Sequence, residues 1–173
     1  MQPPQFPAGS FEKEGPLSAQ RRQDLIAVLE TAPAMLQGAV AGLSESQLDT
    51  KYKNWTIRQI VHHLPDSHIN AYIRFKLALT EDVPTIKPYD EGRWAALEDS
   101  LTGDVRAPLA LMAGLHACWV HLLRSMPEAQ FTRTFFHPEF NETESLDGAL
   151  ASYAWHCRHH TGQILWLREM TGW

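Results

Sequence analysis

The feature that most limits how this chain can fold is a helix start followed by a long apolar stripe. Thr56 precedes Gln59 by three residues, so each side chain can satisfy a free backbone N–H at the other residue, the reciprocal pairing that opens a helix. Ile57, Val61, Leu64, His68, Tyr72, Phe75 and Leu79 then recur at steps of three and four, which predicts a helix from Ile57 to about Leu79 with one buried face. Pro65 falls inside it and should bend it or open one hydrogen bond.

Three more long helices follow from the same rules. The first begins at Ala19 behind Ser18 and runs to about Ala41, kinked or restarted at Pro33. The third has Leu109 to Ser125 as its body, Asp104 as a possible cap, and Leu111, Leu115, Cys118 and Leu122 as its inner face. The last runs from near Ser145 to near Met170, with Ala149, Tyr153, His156, His160, Ile164 and Leu167 on one stripe. Ser44 to Leu48 reads as one short turn. Residues 80–103 read as loop with a helical turn around Arg93 to Leu97, and Phe131 to Asn141 as a short extended segment. The expected fold is an all-α, antiparallel-type four-helix bundle formed by one domain over residues 1–173. Residues 1–16, rich in Pro and Gly, form an arm that is either disordered or an ordered strap.

Hydrophobic residues make up 44% of the chain, enough for a core, and the formal net charge is −5, which gives nucleic-acid phosphates no basic face to bind. The two cysteines, Cys118 and Cys157, make no disulfide framework, and both read as core residues; a reducing cytoplasm is the simpler setting. The arm lacks the apolar core of a signal peptide, and no run is long enough to cross a bilayer. A cytoplasmic location, without membrane or nucleic-acid partners, is the expectation.

Nine histidines are the unusual count. His156 and His160, spaced i and i+4, share one helix face with Cβ atoms about 5–6 Å apart, close enough to reach one ion. Such pairs also arise by chance. His68 lies in the apolar stripe of another helix, where a neutral imidazole needs a partner that a metal or a backbone carbonyl can supply. Both faces are expected to be buried, so His68, His156 and His160 are the candidate ligands of one divalent transition metal. The pair is not the zincin motif, because Cys157 stands where that motif has its catalytic Glu. His62 and Asp66 are i,i+4 neighbours that can bond each other. His63, Asp66 and His159 are the remaining candidates for catalytic or supporting roles, all read as pointing away from the ligand face. His116, His121 and His137 are isolated and receive no role.

The segment Asn54-Trp-Thr-Ile-Arg-Gln-Ile-Val-His-His-Leu-Pro-Asp-Ser-His68, its continuation to Glu81, and Tyr153-Ala-Trp-His-Cys-Arg-His-His160-Thr-Gly resemble the YfiT-like branch of the DinB superfamily. Phe6-Pro-Ala-Gly-Ser-Phe11 looks like that branch's N-terminal arm, which favours an ordered strap. The resemblance covers nearly the whole chain. It implies a four-helix bundle, usually a homodimer, with a three-histidine site whose ligands fall on His68, His156 and His160. It also implies either metal-dependent hydrolysis or S-transfer of a low-molecular-weight thiol such as bacillithiol. Pro65 and Cys157 depart from the branch's usual small residues.

Three protein ligands leave a fourth position open, the mark of a catalytic site. The leading expectation is a metal-dependent transferase that joins a bacillithiol-like thiol to an electrophile, since a metal-held thiolate requires no protein base. The alternative is a hydrolase using metal-bound hydroxide, which would want a proton acceptor such as Asp66 or His63. A third reading is a helical module tied by a structural metal, with a carboxylate from residues 80–103 as fourth ligand. Imidazole ligands suit several metals, with zinc and nickel the first choices.

Overall fold

The computed structural model describes residues 2–173. Its elements in chain order are α1 (Ala19–Val40), α2 (Glu45–Leu48), β1 (Lys51–Tyr52), β2 (Trp55–Thr56), α3 (Ile57–Thr80), α4 (Glu91–Trp94), α5 (Glu98–Thr102), α6 (Arg106–Ser125), a 3-10 turn (Glu128–Thr132), β3 (Thr134–His137), β4 (Glu142–Ser145) and α7 (Leu146–Thr171). The four long helices form the expected bundle. α1 packs on α6 and α7, and α3 packs on the same two, so α1 and α3 face each other across the diagonal. None of these helices is long and apolar enough to cross a membrane.

Two antiparallel hairpins accompany the crossings. β1 pairs with β2, Lys51 opposite Thr56 and Tyr52 opposite Trp55. The chain reverses there because Lys53 adopts a left-handed φ of 54°. β3 pairs with β4 from Thr134–Ser145 to His137–Glu142, so the extended segment expected near residue 131 is one arm of a hairpin. Residues 80–103 hold two short helices rather than one turn.

The helix start at Thr56 is built as the sequence predicts. Gln59 N–H donates to Thr56 Oγ1 at 3.1 Å, and Thr56 N–H donates to Gln59 Oε1 at 2.9 Å. The Gln59 amide also donates to the Ala95 carbonyl at 2.8 Å, which ties the 80–103 segment to this end of α3. Thr56→Ala should therefore cost about 1 kcal/mol, read as a lower urea midpoint. An unchanged midpoint would mean that the β1–β2 hairpin alone fixes the start.

The inner face of α6 differs from the expectation. Met112, Leu115, His116, Trp119, Val120 and Leu123 are buried, while Leu111 is 47% exposed and Cys118 is exposed. Apolar residues surround this helix, so two stripes about one residue apart fit the period equally well. Trp119, in edge contact with Phe75 of α3, takes the core side. His116 is carried inward with it.

The arm is an ordered strap. The Pro4 carbonyl accepts from Tyr52 Oη–H, and the Gly9 carbonyl accepts from Trp155 Nε1–H at 2.8 Å. Phe6 and Phe11 flank the Trp155 ring at 6.0 and 5.7 Å. Gly162 of α7 permits this approach, since a Cβ there would lie 3.0 Å from Pro7. The strap ends on Asp147, whose buried carboxylate accepts from the Leu17 N–H and, at 2.7 and 2.8 Å, from both prongs of Arg22. That two-pronged pair locks α1 to the first turn of α7.

Candidate metal centre

The site forms where the buried first half of α3 meets the middle of α7. Nearly every residue from Ile57 to His68 is buried, so this part of α3 has no outer face for a histidine to turn toward. His63 and His68 accordingly lie on different sides of the helix, and both reach α7. His63 Nε2 lies 3.1 Å from His156 Nε2. His68 Nε2 lies 3.2 Å from His156 Nδ1. One imidazole, with two nitrogens pointing in different directions, thus meets both.

The possible ligand atoms of His63, His156 and His160 lie within 4.8 Å of one another. The grouping differs from the expected trio by one member: His63 lies with His156 and His160, and His68 lies with His116 and Cys157. The helical stripe that selected His68 assumed a single buried face, and α3 is buried on more than one. Two nitrogens each about 2.0–2.1 Å from a tetrahedral ion sit roughly 3.3 Å apart, so the 3.1 Å spacing suits a shared ion.

The surroundings keep these rings in the form a metal needs. Burial lowers the pKa of His63 to about 4. His156 and His160 are pushed well below the ordinary histidine value by burial first, and by their neighbouring imidazoles second. All three are therefore neutral at pH 7. His160 Nδ1–H donates to Gln163 Oε1 at 2.9 Å, which leaves its Nε2 lone pair for the site. The other end of the same amide donates to His159 Nε2 at 3.0 Å, so both ends of Gln163 are spoken for. Trp55 covers the group, with its ring 4.6 Å from His63 and 6.2 Å from His160. The nitrogens that converge here face only one another, His63 Nε2 and His156 Nε2 at 3.1 Å, with no carboxylate or cationic side chain among them, and this donor set fits a divalent transition metal.

The other candidates fall elsewhere. His68 joins a second buried cluster with His116 and Cys157, the thiol 3.7 Å from His68 Nε2. Burial raises the Cys157 pKa far above the ordinary thiol value, so it is a neutral thiol. His159 stacks on Trp155 at 4.7 Å beneath the strap, outside both clusters. His62 faces Gly103, at a ring-carbon distance of 3.1 Å from where a Cβ would stand, and not Asp66. Asp66 is half-buried, and burial together with nearby Asp99 raises its carboxyl to about 6. Among the described residues, neither cluster takes a carboxylate from residues 80–103. A cleft of about 800 Å³ ends on His156 and is walled by Ser67, Arg74, Tyr89, Glu91, Glu144 and Tyr153 among others.

Comparison with known proteins places the fold in a family. Residues 28–164 match the model of the DinB superfamily. The chain is 46% identical to "Putative metal-dependent hydrolase YfiT" of Bacillus subtilis (strain 168) over 170 residues, which is 97% of this chain and 96% of that protein. It is 46% identical to a relative of the same description from Bacillus mycoides (strain KBAB4), covering 97% of each chain. The solved structure of YfiT from Bacillus subtilis, described as a probable metal-dependent hydrolase with an unusual four-helix bundle topology, superposes with a TM-score of 0.94 over 97% of both chains. Fold, helix order and sequence agree over almost the entire length, and the chain belongs to the DinB superfamily.

Proposed function

We propose that this protein is a metal-dependent hydrolase whose ion is held by His63, His156 and His160. The observation that carries the reading is the convergence of three neutral imidazoles, buried His63 and His160 and half-buried His156, with His156 reaching the end of an open cleft. A divalent ion held there supplies Lewis acidity at a position left open by three protein ligands. The names of the relatives point the same way.

The chain's own groups supply the rest. The i,i+3 spacing places the Asp66 Cβ about 5–6 Å from that of His63. With a carboxyl near 6, Asp66 is ionised at neutral pH yet basic enough to accept a proton, which suits a general base. Trp55 shields the ligands from water on one side, and the cleft leaves room for a substrate on the other.

Thiol transfer is the second reading, and one observation favours it. Neither cluster of convergent ligand atoms contains a carboxylate, so a bound thiolate would share the ion with no carboxylate ligand. The test is turnover by protein stripped of metal and then reloaded with zinc, nickel, cobalt or manganese. Esters and amides should be cleaved only by reloaded protein, and His63→Ala should abolish cleavage. Conjugation of bacillithiol to an alkylating electrophile, with no ester or amide cleavage, would replace hydrolysis with transfer.

A further inference from the structure

The arrangement of the second buried cluster begins with a proline. In an α-helix the carbonyl of residue i accepts from the N–H of residue i+4. Four residues after Leu29 in α1 stands Pro33, which has no N–H. The Leu29 carbonyl is therefore free of its intrahelical partner, although Leu29 itself is fully buried. It accepts instead from His116 Nδ1 of α6, at 2.5 Å. Pro33 and His116 line the same groove between the two helices.

A carbonyl can only accept, so His116 Nδ1 carries the proton. No carboxylate joins this cluster to hold a second proton on a ring, so His116 Nε2 is bare. His116 Nε2 lies 3.0 Å from His68 Nδ1, which must then be the donor. The same holds for His68, whose bare Nε2 accepts from His156 Nδ1–H at 3.2 Å. The last ring, His156, is left with its lone pair on Nε2, the nitrogen that faces His63. Every link runs in one direction, and the direction is set by the carbonyl.

We propose that Leu29, His116 and His68 form a buried relay that fixes the tautomer and orientation of His156 so that Nε2 is presented to the metal. His68 and His116 are positioning residues, not ligands. Both ring nitrogens of His68 are engaged, and so are both of His116. The cluster is thus a hydrogen-bonded string rather than a second metal site. Hydrogen bonds behind a ligand of this kind typically change metal affinity about 10–100-fold. The assignment rests on His156 being a ligand, but its tautomer can be read without any metal.

The experiment is long-range ¹H–¹⁵N correlation of the histidine rings in the metal-free full chain at neutral pH, paired with zinc affinity. Wild type should show His156 and His68 as Nδ1–H tautomers. In His116→Leu, the two should lose that uniform state, and zinc should bind about 10–100-fold more weakly. His116→Gln, whose amide can donate to the carbonyl and accept from His68, should restore most of both. Pro33→Ala, which returns an N–H to compete for the Leu29 carbonyl without opening the core, should shift the His116 Nδ1–H resonance. A wild-type His156 protonated on Nε2 overturns the relay. So does a folded His116→Leu with unchanged tautomers and unchanged affinity. If His116→Leu does not fold, an unmoved His116 resonance in Pro33→Ala overturns it. Failure of wild type to bind zinc while the tautomers follow the pattern would count against the metal reading alone.

Discussion

Zinc-reconstituted His63→Ala should bind its ion about a thousandfold more weakly than wild type, whereas His68→Ala should lose only about 10–100-fold. The difference follows from what each ring touches. His63 brings its Nε2 to the common group with His156 and His160, so its removal deletes one of three donors. His68 meets the other nitrogen of His156, so its removal loosens a ligand without deleting one. His156→Ala and His160→Ala should resemble His63→Ala. Metal content by elemental analysis and affinity by chelator competition provide the readout. If His68→Ala empties the site while His63→Ala retains it, the trio is the one expected from the helical stripe, and the grouping drawn from geometry is wrong.

The metal-free protein should also be unusually sensitive to mild acid. Eight of the nine imidazoles are held below the ordinary histidine value of 6.5 by burial: those of His63, His68, His116, His156 and His160 in the two clusters, and those of His62, His137 and His159 outside them. In the unfolded chain each takes up a proton near that value; in the fold it stays neutral, in the case of His63 until about pH 4. Between those limits the unfolded state binds more protons, so stability falls as pH falls. A ring that stays neutral in the fold contributes up to about 1.4 kcal/mol per pH unit. Asp66, Glu91 and Glu144 oppose this: burial raises all three carboxyls, Asp66 to about 6, so the fold holds protons that the unfolded chain has lost, but they are three half-buried groups against eight imidazoles. Urea midpoints of chelated protein should drop steeply from pH 7.5 to 5.5. Replacing His68 and His116 together with Leu should flatten that slope, since two of the eight titrating rings are gone. A midpoint flat over this range would show that the rings are hydrated rather than sealed.

Much of the bundle could be read from local signals. Four helices, their caps at Ser18, Thr56 and Ser145, and the α7 stripe carrying His156 and His160 are properties of short windows, where capping chemistry and a period near 3.6 decide the outcome. The arm's role as a strap could not be read that way. It depends on Trp155 and Asp147, more than a hundred residues distant. The hairpin at β1–β2 was hidden because its strands are too short to show alternation.

Of the histidine cluster, the sequence by itself determined two members, His156 and His160, and the helix that supplies the third, since i,i+4 spacing and an apolar stripe are local facts. Only the tertiary structure decided that His63 is the ring grouped with them, because the deeply buried start of α3 has no preferred inner face and the choice depends on which His156 nitrogen each ring meets. The same holds for His116. Its place inside the core is tolerable only because a proline in another helix leaves the Leu29 carbonyl free to receive its proton, and no window of sequence contains both residues.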